Sequence, residues 1–195
     1  MATISNLILP FRDYSEHEIV NQFSLNTTGV GGLFVKPTVF NLDSGDGYSS
    51  VAVGATYGNT FSNRYESKAK VGLSASGDTK YTVLGIMLKD TREVDENGES
   101  LLFHPELATK LNCVISGQNT PILKRGLVHL KSGSYLGTPS LNNVGVISNS
   151  GSGRILAIHP TGVTGAGYTT DQIVGKFMSD QSSKFGGNAL FLLDL

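Results

Sequence analysis

Val144-Gly-Val-Ile-Ser-Asn-Ser-Gly-Ser-Gly-Arg-Ile-Leu-Ala-Ile-His159 is the stretch on which the fold turns. Two short apolar runs, Val146-Ile147 and Ile155-Leu156, flank Asn149-Ser150-Gly151-Ser152-Gly153, whose small residues tolerate positive φ and let the chain reverse. This spacing predicts a hairpin, and the same grammar recurs along the chain. Ser132-Gly133 stands between Leu130 and Tyr135, and Asn97-Gly98 between Leu88 and Leu101. From residue 51 onward, apolar runs alternate with Gly, Asn, Ser or Pro clusters every ten or so residues, the cadence of a sandwich or barrel. Strands are expected over 50–55, 68–74, 81–90, 99–103, 111–116, 122–130, 134–138, 144–148, 154–159, 172–179 and 189–195. Helical periodicity is confined to a turn near Pro105 to Lys110.

The first fifty residues have a different texture, broken by small-residue clusters at 26–32 and 43–47. Ser15 and Glu18 offer a capping box, yet Ile19, Asn21, Phe23 and Leu25 alternate with Val20, Gln22 and Ser24, which favours a strand. The expectation is a mainly β protein, a small barrel or sandwich over 51–195, with 1–50 as an extended N-terminal arm or accessory layer. The chain closes on Ala189-Leu-Phe-Leu-Leu-Asp-Leu195, an apolar strand expected to be buried in the sheet or against another copy.

Composition agrees with this class. Charged residues are 16% of the 195, against roughly 25% in ordinary soluble domains, and 24 glycines are well above average usage. The formal charge of −1 gives no excess of cations for a nucleic acid. No apolar run approaches the ~18 residues a membrane-spanning helix needs. With a single cysteine, Cys113, and no secretory pattern at the N-terminus, a reducing cytoplasm is the expected site of synthesis.

The near-neutral total hides an asymmetry. Residues 1–100 carry 8 Lys/Arg and 12 Asp/Glu, a net of −4, whereas 101–195 carry 7 and 4, a net of +3. No acid lies between Glu106 and Asp171, where Lys110, Lys124, Arg125, Lys131 and Arg154 fall. If several share a face, that face prefers an acidic partner; otherwise they are solubilising charges scattered around a barrel.

Motifs for chemistry are sparse. There is no Gly-x-Ser-x-Gly elbow to lift a nucleophile toward a histidine. His17, His104, His129 and His159 are isolated, without the short spacing of metal ligands. Thr161-Gly-Val-Thr-Gly-Ala-Gly167 lacks the Gly-Lys-Ser/Thr ending of a phosphate loop, and Gly175-Lys176 sits inside an apolar run rather than opening a helix. The oxygen-rich 43–47 and 95–99 segments lack the EF-hand order and are expected to be turns. Asn26-Thr-Thr28 is a glycosylation triplet in form only. The expectation is no enzyme, no cofactor and no metal.

Val83-Leu-Gly-Ile-Met-Leu-Lys89, Ile122-Leu-Lys-Arg-Gly-Leu-Val-His-Leu130, the 133–137 turn, Val144-Gly-Val-Ile147, Ile173-Val-Gly-Lys-Phe-Met178 and Gly186-Gly-Asn-Ala-Leu-Phe-Leu-Leu-Asp194 carry a resemblance. Over roughly 70–195 the chain resembles the head decoration, or cement, proteins of tailed bacteriophages, small Gly-rich β proteins on the outside of the shell. That resemblance implies a virion protein of the outer capsid surface, made in the host cytoplasm, with the major capsid protein and further copies of itself, as a trimer, for partners. On that reading Lys110, Lys124, Arg125, Lys131 and Arg154 are candidate capsid contacts. The alternatives are another virion subunit of shell, tail or fibre base, or a β-barrel binding module or hydrolase whose groups meet only in three dimensions.

Overall fold

A computed structural model describes residues 7–13, 15–25, 28–39, 70–101, 103–149, 153–181 and 187–195. The protein is mainly β, as its turn-rich sequence predicts, and its sheets include a curled half-barrel. The closing strand shows why. In Ala189–Asp194, β15, the side chains of Ala189, Phe191 and Leu193 are buried while Leu190 and Leu192 are half-buried and Asp194 is exposed. Period-two alternation of this kind gives one inward and one outward face.

β15 is internal. It pairs antiparallel with Arg125–Leu130 (β10) on one side and with Ile173–Phe177 (β14) on the other. Beyond β14 come Val144–Ile147 (β12), Ile155–Ile158 (β13) and Tyr135–Leu136 (β11), while Ile8–Asp13 (β1) covers the free edge of β10. The seven strands run β1-β10-β15-β14-β12-β13-β11. β12 and β13 form the hairpin expected from 144–159, with Val144 opposite Ile158.

The second sheet has six strands. Ile19–Val20 (β2), Ser24–Leu25 (β3), Phe34–Val39 (β4), Lys70–Leu73 (β5), Gly85–Met87 (β6) and Ile122–Leu123 (β9) lie in the order β2-β9-β6-β4-β5-β3. β4 and β5 are antiparallel, and Val39 faces Lys70, so the chain leaves and re-enters this sheet at one point. β9 and β10 are consecutive in sequence but belong to different sheets. Lys124 between them gives its backbone N–H to the Glu18 carbonyl at 3.0 Å, and the chain turns a corner from one layer into the other.

The inner faces of the sheets meet in one core. Phe34, Ile86 and Leu123 from the six-stranded sheet pack with Val128, Leu130, Ile147, Ile155, Val174, Phe177, Phe191 and Leu193 from the seven-stranded one. Phe191 is central, with its ring edge-to-face on Phe177 at 4.9 Å and on Phe34 at 6.3 Å, while Tyr135 stands 5.8 Å from Phe177. There is room for the Phe191 ring because two glycines lie under it. A Cβ on Gly145 would come 2.5 Å from the ring, and one on Gly175 2.7 Å from it and 2.2 Å from the Leu192 carbonyl oxygen.

A small annex completes the structure. Asp90–Arg92 (β7) and Cys113–Ile115 (β8) pair in parallel, and the six-residue helix Pro105–Lys110 (α1), where the sequence predicts a helical turn, closes Leu101, Ala108, Cys113 and Ile115 beneath it. Asp90, 3% exposed, ties the annex to the sandwich: its carboxylate accepts the Gly31 N–H at 2.8 Å and pairs with the Arg92 guanidinium at 3.0 Å.

Five local expectations change. The strand expected over 81–90 begins only at Gly85 and divides into β6 and β7, and that expected over 122–130 divides at Lys124 into β9 and β10, each half joining a different sheet. Ser132-Gly133 does form a turn, with Gly133 at φ +112°, but β10 and β11 do not pair. Both edges of β10 are filled by β1 and β15, so β11 joins β13 in parallel instead. The segment expected as one strand over 19–25 follows a single 3-10 turn, Glu16–Glu18, capped by the Ser15 hydroxyl, and splits into β2 and β3, which serve different neighbours. Of the strand expected over 99–103, the described part forms one bridge, Ser100 to Val94, because the chain reverses tightly at Gly98 with φ +85°. The expected strand at 50–55 and the 43–47 cluster lie outside the described residues, as do Asn26 and Thr27.

Candidate functional site

The five cations singled out by sequence fall in three places. Lys124 and Arg125 stand together, exposed, at the start of β10, and Arg125 meets the Asp194 carboxylate at 3.2 Å. Both partners of that pair are about two-thirds exposed, so it contributes little to stability. Lys131 follows the far end of β10, about 20 Å away along an extended strand. Its carbonyl accepts the Ser134 N–H, and the Ser134 carbonyl accepts the N–H of Ile155, the residue after exposed Arg154, so Lys131 and Arg154 flank one backbone turn. Lys110 ends α1, on the annex. Lys124 and Arg125 are thus neighbours, Lys131 and Arg154 are linked only through the backbone of Ser134, and Lys110 lies on a separate element.

A second group of cations escaped sequence reasoning. On the outer face of the seven-stranded sheet, the register places Leu192 opposite Lys176 and Lys176 opposite Val144. These residues form the bed of an open groove of about 510 Å³, continued by Ile173 and the bare backbone of Gly175. Lys80 reaches its rim because its backbone N–H donates to the Asp171 carbonyl at 2.7 Å. Thr170 and Asp194 complete the lining. Among the described residues, neither Lys80 nor Lys176 forms an ion pair, and the one carboxylate in the groove, Asp194, is already met by Arg125. Lys80 also lies 5.1 Å from the centre of the Tyr81 ring, which is 76% exposed. Strict alternation would put Lys176 on the face of buried Val174, and a register shift against β12 breaks that alternation, so the sequence signals neither the exposure of Lys176 nor the arrival of Lys80 beside it.

A second groove, about 500 Å³, lies between Ser132, Pro139, Ser140, Asp180 and Gln181. It is lined by hydroxyls and one carboxylate, and Asp180 is engaged there by the Leu141 N–H at 2.7 Å.

The motifs weighed for chemistry have structural partners. Asp95 Oδ1 accepts the backbone N–H groups of Asn97 and Glu99, both at 2.8 Å, so this oxygen builds a turn. The Gly-rich 161–167 segment opens with a 3-10 turn, Pro160–Gly162, capped by His159, and it delivers Val163 and Tyr168 onto the outer side of β12 beside Val146. His104 lies 3.6 Å from Glu106, both of them exposed at the start of α1. No group of three or more His, Cys, Asp or Glu side chains able to hold a metal occurs among the described residues. Burial pushes the Cys113 thiol above its ordinary value of 9.0, with Arg92 opposing the shift and Asp90 adding to it. Burial likewise raises the Tyr135 phenol, whose hydroxyl donates to the Gly187 carbonyl.

Large apolar side chains also stand in solvent. Phe103 is 77% exposed and Leu141 56%, and with Tyr81 they sit on turns at the margins of the sheets. Compared with known proteins, the chain matches no family model, no curated protein and no solved structure.

Proposed function

We propose that this chain is a structural virion protein that binds the outer surface of a tailed-phage head and strengthens it by contact. Its partners on this reading are the major capsid protein and further copies of itself, arranged as a trimer. The observation that carries the reading is the surface: exposed Tyr81, Phe103 and Leu141 on turns around a sparsely charged sandwich, with shallow open grooves on its outer side. Aromatic groups are enriched where protein surfaces meet, and a neighbour that covers these side chains would remove apolar area from water. The resemblance of 70–195 to decoration proteins supports the same conclusion. Many identical weak contacts, repeated over a lattice, hold through avidity rather than through one tight site.

The experiment mixes the purified chain with expanded heads that lack a decoration protein. Saturable uptake, together with heads that withstand higher temperature, is the expected result. Heads that take up none of the protein, or that are no sturdier when saturated with it, would refute the proposal.

A further inference from the structure

We propose that the groove over β14 and β15 is a docking site for an acidic, aliphatic segment of a partner protein. Two features of the groove select that chemistry. Its bed is apolar: Val144, Ile173 and Leu192 are each half-buried, so each leaves aliphatic surface for a ligand to cover. Its cations are unspent: Lys80 and Lys176 have no carboxylate partner among the described residues, and Arg125 answers Asp194. A segment with carboxylates on either side of an aliphatic side chain satisfies both at once. Charge complementarity then fixes orientation and speeds encounter, while covering the bed supplies the hold. A polyphosphate chain fits less well, because it carries nothing aliphatic to cover the bed and the bed offers no aromatic ring on which bases stack.

This inference rests on the virion reading only for the source of the segment, which would then be the capsid shell. The groove itself is tested with fluorescein-labelled (Asp-Leu)4 by anisotropy, using the full chain. Saturable binding is expected. Lys80→Glu/Lys176→Glu should weaken it at least tenfold, Lys80→Arg/Lys176→Arg should stay within threefold of wild type, and Lys110→Glu within twofold. Lys176 is exposed and Lys80 half-buried, and circular dichroism verifies that the variants fold. The peptide (Asp-Gly)4, equal in charge but without aliphatic groups, should bind at least fivefold more weakly.

An equal loss in Lys110→Glu, equal binding of (Asp-Gly)4, tighter binding of an eight-nucleotide single-stranded DNA through the same lysines, or no saturation at 1 mM peptide would each overturn the proposal. Uptake by heads separates the two ideas. Wild-type uptake that persists undiminished in Lys80→Glu/Lys176→Glu removes the groove from capsid attachment and leaves the virion reading intact. Peptide binding that depends on both lysines, with no wild-type uptake, supports the groove and refutes the virion reading.

Discussion

Replacing Gly145 by alanine tests the central packing argument, that the Phe191 ring occupies space which β12 leaves free. The added methyl would sit 2.5 Å from Phe191 Cε2, 2.8 Å from Cζ and 3.2 Å from Ile155 Cδ1. Ordinary contact begins near 3.4 Å, so the ring must retreat by about 1 Å. It has nowhere to go, because Phe177 and Phe34 press on it from the other sides and all three rings are fully buried. Overpacking of this kind costs about 1–3 kcal/mol. Gly145 is not at positive φ, so alanine also removes unfolded-chain entropy, which offsets roughly 0.4–1 kcal/mol. The net loss expected is about 1–2 kcal/mol, or roughly 2–8 °C in Tm for a chain of this size. Urea denaturation followed by circular dichroism reads it directly. The diagnostic variant is Gly145→Ala/Phe191→Leu, in which the smaller side chain makes room for the methyl. Its destabilisation should fall at least 1 kcal/mol short of the sum of the single variants. Strict additivity, or a Gly145→Ala protein as stable as wild type, would show that the ring is not held against β12 in this way.

Gly175→Ala should be more damaging than Gly145→Ala in the same denaturation assay, since its methyl meets the Leu192 carbonyl at 2.2 Å and backbone in a paired strand cannot swing aside. Asp90→Ala removes the acceptor for Gly31 and the partner of Arg92; about 2 kcal/mol should be lost, with annex amides exchanging hydrogen faster than those of β14 and β15. Alkaline conditions provide a test with a defined sign. Burial raises Tyr135 and Cys113 in the folded chain, so the fold keeps its full stability below about pH 9 and loses it as pH rises further and the unfolded chain ionises first. Urea midpoints at pH 7 and 8 should agree and that at pH 10.5 should be lower, and Tyr135→Phe should flatten the decline while costing about 1 kcal/mol at pH 7 through the lost bond to Gly187. The Cys113 thiol should react with Ellman's reagent at pH 8 only slowly, and at once in denaturant, because it is 6% exposed and held in its neutral form.

The parts of the fold that were legible in sequence are those where one local cause decides the outcome. β15 is written in its alternation, the β12–β13 reversal in its small residues, and α1 in Pro105 followed by Glu106 and Leu107. What stayed hidden depends on neighbours from elsewhere in the chain. Ile122 to Leu130 reads as one strand because apolar residues look alike on both sides of Lys124; only the Glu18 carbonyl that receives its N–H marks the corner. The partner of β11 could not be read from Ser132-Gly133, since Ile8 and Ala189 had already claimed the two sides of Leu130. The same limit applies to the groove. Lys176 and Leu192 are brought face to face by sheet register, and Lys80 by a backbone bond to Asp171, and neither relation leaves a trace in spacing.

The pairing of Val39 with Lys70 makes that end of β4 and β5 a single doorway. Thirty residues separate the two in sequence, yet the ladder sets them opposite one another. A flexible connection between two such ends costs only about 0.6 kcal/mol more for each doubling of its length, by loop-closure entropy. Whatever chain joins Val39 to Lys70, the strand that carries Phe34 to its contact with Phe191 is held in register by the β4–β5 ladder itself.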